Sequence, residues 1–199
     1  MSFKRAHAVG ALWASFSGSY LVPKPGDAPS VFVRRVNKLI ELGVGVPAER
    51  RTGKIGTDQE YEPADVLEIG VGLSLMNAGV PQREARDILV AYRNTIRPHL
   101  DRALAQALPP KETIILVLKP RGFPQSQKIR ELRKDKLRSV PAFPFYEPKV
   151  IWGSAVTWKQ FAADLSGRER ELILIGLHDL AAVVSQYLKD APPVRRGRQ

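Results

Sequence analysis

Helix-breaking residues punctuate this 199-residue chain and divide it clearly into separate elements; prolines number 16 and glycines 15. Proline removes a backbone donor and clashes with the preceding turn, while glycine favours the left-handed stop of a helix. The strongest break is Pro109-Pro110. It divides a mostly helical first part from a smaller second part in which strand and helix patterns alternate. The expected fold class is therefore α+β.

Before that break the pieces are short. One helix is predicted over residues 4–16, followed by a loop over 22–30 that holds Pro23, Pro25, Gly26 and Pro29. Ser30 is placed to cap a helix over 31–42, with Gly43 at its stop. Val33, Val36, Leu39 and Ile40 share one face of that helix, and Arg34, Arg35 and Lys38 fall largely on the other. Residues 44–60 contain four Gly or Pro among 17 positions, which predicts two short strands with a hairpin tip at 51–57. Pro63 sits at a first helical position, and residues 64–78 place Val66, Leu67, Ile69, Leu73 and Met76 inward before Gly79 ends the run. Pro81 opens a longer helix through Leu104, which Pro98 should interrupt near Arg97.

After the break, residues 113–118 read as a β-branched strand and 126–138 as a basic helix. Residues 149–158 alternate as a strand, placing Trp152, Val156 and Trp158 on one face. Ser166 and Glu169 form a capping-box pattern that opens a helix to about Lys189. The expected organisation is an arm over 1–29, a first domain over 30–108, an α+β domain over 111–190 and a basic tail over 191–199.

Composition excludes several classes. There is no cysteine, so there is no disulfide framework, thiolate nucleophile or Cys-ligated zinc. That usage fits a reducing compartment, and a cytoplasmic location is expected. No apolar run approaches the ~20 residues of a membrane span, and the N-terminal stretch lacks the apolar core of a signal peptide. Lys and Arg number 31 against 20 Asp and Glu, a formal net charge of +11 that suits a polyanionic partner.

Catalytic signatures are missing. The sequence Thr52-Gly53-Lys54-Ile55 imitates a phosphate loop but lacks both the first glycine and the hydroxyl after lysine. Gly70 and Gly72 lie within a helical pattern, without the third glycine of a dinucleotide site. No nucleophile elbow occurs. His7, His99 and His178 are isolated from one another, and the His178-Asp179 pair lacks further ligands. The expectation is a non-enzyme with no cofactor and no metal.

Residues 31–97 carry the most specific signal. A helix with a basic face ends at Gly43, an Arg/Gly-rich stretch spans 50–56, and Tyr61 follows. Asp65-Val66 then opens a helix, residues 75–79 make a Leu-to-Gly turn, and Ala85, Ile88 and Leu89 pattern the next helix. This order resembles the winged helix-turn-helix unit of MerR-type transcriptional regulators. The resemblance implies that residues 30–108 form a winged helix-turn-helix-like DNA-binding domain. It departs from the family in the proline-rich loop before Val31, in the absence of the usual Arg-Tyr-Tyr-Glu run, and in the interruption at Pro98.

Charge supports the same reading. Residues 31–54 hold Arg34, Arg35, Lys38, Arg50, Arg51 and Lys54 against Glu41 and Glu49. The helix arginines could pair with guanine in the major groove. The wing cations, with a Tyr61 hydroxyl, could meet phosphates. The alternatives are a solvated polar face, and for Tyr61 packing beneath the wing. A second basic run over 119–138 includes Lys128, Arg130, Arg133 and Lys134, a secondary nucleic-acid contact or a solvent-exposed face. Phe143, Phe145, Tyr146, Trp152 and Trp158 suggest a stacking surface for single strands, although the alternation at Trp152, Val156 and Trp158 favours a sheet core.

These features together predict a sequence-specific regulator of double-stranded DNA. The competing readings are a phage or mobile-element packaging or recombination accessory protein, and an RNA- or protein-interaction module built on residues 119–138. The apolar stripe of the last helix is expected to cover the sheet and leave spare surface for a homodimer formed by residues after Pro110, the alternative being that the whole stripe is internal core.

Overall fold

The computed structural model describes residues 2–17, 26–47, 50, 59–106, 113–118, 148–153 and 173–190. Six helices and a small antiparallel sheet make up these residues, an arrangement consistent with α+β. The elements are α1 (Arg5–Ser17), α2 (Ser30–Glu41), α3 (Pro63–Asn77), α4 (Gln82–Ala91), α5 (Arg93–Ala105), β1 (Thr113–Leu118), β2 (Pro148–Gly153), β3 (Ile173–Gly176) and α6 (Leu177–Asp190).

The centre of the molecule is α3. Pro63 begins it, and a capping box joins the Glu62 and Asp65 side chains to each other's backbone N–H. Gly79, at φ +89°, ends it with Gly79 N–H to Met76 O and Val80 N–H to Leu75 O, the paired bonds of a Schellman stop. Its apolar residues run all the way round, so it is buried on every side. Gly70 and Gly72 lie on opposite faces and let neighbours approach closely: Leu12 and Leu180 over Gly70, Leu39 and Leu89 over Gly72. The Gly-x-Gly pair is thus a packing device within a helix.

Around α3 stand α1, α2, α4, α5 and α6. The sheet order is β2-β1-β3, with β1 antiparallel to both neighbours. Leu116 pairs with Ile175, and both are buried. One hydrophobic cluster includes Leu12, Leu67, Leu100, Leu116 and Val184. The core therefore crosses Pro109-Pro110, and the expected division at 108–111 does not separate two cores.

Several expectations are corrected. The helix expected to run from Ser166 to Lys189 instead contains β3 before α6 begins, because the apolar run Ile173–Gly176 completes the sheet beside β1. The apolar stripe of α6 is not spare surface: Leu177, Leu180, Val184, Tyr187 and Leu188 are buried, with α6 packed on α1, α3, α5 and β1. The surface argument for a homodimer after Pro110 loses that stripe. The long helix after Pro81 breaks at Tyr92 rather than near Arg97. Pro98 lies inside α5, which continues past it to Ala105. Residues 44–46 form bends rather than a strand, and Tyr61 pairs with Phe3 in an isolated antiparallel bridge. The hairpin tip at 51–57, the basic helix at 126–138, the end of the strand at 154–158, the Ser166 capping box and the tail lie outside the described residues.

Candidate nucleic-acid interface

Helix α2 is amphipathic. Val36 and Leu39 are fully buried, and Phe32 packs on Trp13 with ring centroids 5.1 Å apart. Asn37 Oδ1 accepts from Arg5 Nε at 2.8 Å. These contacts bring the start of α1 to the end of α2, so the two helices run in opposite senses. The outward face follows the spacing 31, 34, 35, 38, and Val31, Arg34, Arg35 and Lys38 are all exposed along it. Ser30 makes no side-chain cap; it stands inside the helix behind Pro29. Gly43, at φ +98°, ends the helix with Gly43 N–H to Ile40 O and Val44 N–H to Leu39 O.

Two arginines from later helices hold this end. Arg86 Nε donates to Leu42 O at 3.0 Å, and Arg93 Nη2 donates to Gly43 O at 2.6 Å. Guanidinium groups at a helix C-terminus satisfy free carbonyls and complement the dipole. Arg93 also grips Glu68, with Nη2 2.7 Å from Oε1. The same Oε1 accepts the N–H of Gly45 at 3.1 Å. Burial pushes the Glu68 carboxyl above its usual range, and Arg93 and the Gly45 N–H draw it partly back. Gly45 has φ +87°, and a Cβ there would meet Ile69 at 2.9 Å and Asp65 O at 3.0 Å.

A second node lies one turn earlier on α3. Asp65 is fully buried and accepts from Arg50 Nη2 at 2.7 Å, Arg97 Nη1 at 2.6 Å and the Glu62 N–H at 2.8 Å. Glu62 Oε2 lies 3.1 Å from Arg50 and 2.8 Å from Arg97. The two acids Asp65 and Glu68 thus bind the chain leaving α2 to both α3 and α5. Rigid support of this kind limits how far a recognition surface can tilt.

The expected site residues separate accordingly. Arg34, Arg35 and Lys38 share the outward face of α2. Arg34 has no hydrogen-bond or ion partner among the described residues, Arg35 reaches Asn77 Oδ1 at 3.4 Å, and Lys38 pairs with Glu41 at 3.1 Å. Such exposed pairs are weak and exchange readily for phosphate. Arg50 does not fit the role of a free phosphate contact, since its guanidinium lies between Asp65 and Glu62. Tyr61 is corrected as well: at 1% exposure it is packed in the core, because its backbone pairs with Phe3 and draws the ring inward. Arg51, Lys54, Lys128, Arg130, Arg133 and Lys134 lie outside the described residues.

Sequence reasoning missed Arg86, Arg93, Arg97, Asp65 and Glu68. Their one visible signal was spacing: Asp65 and Glu68 at i,i+3 and Arg93 and Arg97 at i,i+4 each define a single helix face. Among the described residues no group of His, Asp and Glu could hold a metal ion, and no helix is long and apolar enough to cross a membrane. No protein-family model and no curated protein matches the chain.

Proposed function

We propose that this chain is a sequence-specific regulator that binds double-stranded DNA in the cytoplasm, with α2 as the recognition helix of a MerR-like winged helix-turn-helix. The observation that carries the reading is the outward row Arg34, Arg35 and Lys38 on a helix clamped at its end by Arg86 and Arg93. An exposed cationic row on a fixed helix is what major-groove entry needs, because arginine pairs bidentately with guanine edges. The Phe3–Tyr61 bridge adds support. It ties the return of the 44–60 segment to the start of α1, while the Gly45 and Arg50 contacts tie its departure to α3. Both legs of the proposed wing are therefore anchored on the same helical frame.

The test is fluorescence anisotropy of the full chain on duplexes recovered from a random pool. Affinity should fall with salt at a slope of about −0.9 per phosphate neutralised. Arg34→Ala or Arg35→Ala should relax preference at one base pair by about 1–3 kcal/mol. Salt-insensitive binding, or preference for single-stranded RNA over every duplex, overturns the proposal.

A further inference from the structure

Val31 is 60% exposed in the first turn of α2, on the same outward row as Arg34, Arg35 and Lys38. The inward stripe is complete without it, since Val36 and Leu39 fill the core and Phe32 meets Trp13. Valine is also a mediocre helix former, so neither packing nor propensity calls for it there. A cationic face selects a polyanion, and the apolar feature that a DNA major groove offers is the thymine 5-methyl group. From Val31 to Lys38 the helix rises about 10 Å, at about 1.5 Å per residue. That length matches roughly three base-pair steps of about 3.4 Å.

We propose that Val31 contacts a thymine 5-methyl group in the major groove, so that α2 reads thymine within about three base pairs of the guanine met by Arg34 or Arg35. This rests on the reading of α2 as a DNA recognition helix. Val31 is the methyl-sensing residue, and the arginines supply the polar readout and the charge.

The experiment uses the full chain on its selected duplexes, with each thymine replaced in turn by deoxyuridine, which lacks the 5-methyl group and keeps the same hydrogen-bonding edge. At one position the replacement should weaken the wild type roughly fourfold, the value of one buried methyl. Val31→Ala, which loses both branch methyls at an exposed helix position, should distinguish the thymine and uracil forms of that duplex less than the wild type does. If uracil is tolerated at every position by the wild type, or weakens Val31→Ala just as much, the assignment is wrong. A sharp selected motif with no uracil effect overturns this inference alone. Failure to enrich any duplex overturns it together with the DNA-binding reading.

Discussion

Replacing Arg93 by alanine tests whether the ion pairs under α2 hold it in place. The Arg93 side chain is 19% exposed and that of Glu68 2%. Truncation removes both bonds from Nη2, to Glu68 at 2.7 Å and to Gly43 O at 2.6 Å, and leaves the Glu68 carboxylate without its guanidinium. That carboxylate can escape its cost by taking up a proton. At pH 7, neutralising a glutamate of ordinary pKa near ~4.3 costs about 3.7 kcal/mol, at about 1.36 kcal/mol per pH unit. Water entering the gap offers a cheaper route, so this is a ceiling for the Glu68 part. The lost bond to Gly43 O adds about 1 kcal/mol. The expected loss is therefore about 3–4 kcal/mol, or roughly 10 °C in Tm for a chain of this size.

The pH dependence has a definite sign. Burial already raises the Glu68 carboxyl despite Arg93, and it rises further without that partner. The folded variant then holds the proton more tightly than the unfolded chain. Its deficit is full above the folded pKa and shrinks as pH falls toward the ordinary glutamate value. At pH 5 the neutralisation costs only about 1 kcal/mol. Urea unfolding followed by tryptophan fluorescence and far-UV circular dichroism at pH 7 and pH 5 reads both numbers. The double variant Glu68→Gln with Arg93→Met should recover much of the loss, because neither member of this pair is then left as an unpaired buried charge. A loss under about 1 kcal/mol at pH 7, or one that grows on acidification, refutes the reasoning.

Further outcomes are expected at other positions. Gly10→Ala should destabilise by about 1–3 kcal/mol despite alanine's better helix propensity, since the new Cβ would lie 2.6 Å from Tyr187 Cζ; Tyr187→Phe should be neutral or stabilising, because the hydroxyl is buried with no hydrogen-bond partner among the described residues, and thermal melts read both. Gly79→Ala, at φ +89° in open space, should cost about 1 kcal/mol. Gly45→Ala, at φ +87° against Ile69, should cost at least twice as much in the same chemical denaturation series. Arg50→Ala should lower Tm with little change in the salt slope of DNA binding, whereas Arg34→Ala should reduce the slope by about one and leave Tm unmoved; equal effects from the two variants would contradict their assignment to scaffold and surface.

What the sequence determined is local. Pro63, Gly43 and Gly79 govern backbone dihedrals within a few residues of themselves, so the ends of α2 and α3 were legible as patterns. The face carrying Arg34, Arg35 and Lys38 followed from helical period alone, since a helix with Val36 and Leu39 inward must turn those residues outward. The strand at Thr113–Leu118 was legible from its apolar, β-branched composition.

What only the tertiary structure decided involves partners far apart in the chain. Periodicity assigned Ile173–Gly176 to a helix, and pairing with β1 made it a strand, because an apolar run of four has no decisive period of its own. Arg50 and Tyr61 looked like surface contacts beside a glycine-rich loop. The buried Asp65 captured the first, and the Phe3 bridge drew the second into the core. The apolar stripe of α6 could have met a second subunit; α1, α3 and α5 met it first. A charge or an apolar face in a sequence states a need for a partner. Which partner meets it depends on long-range packing, where one buried carboxylate outcompetes solvent for an arginine that the sequence alone left free.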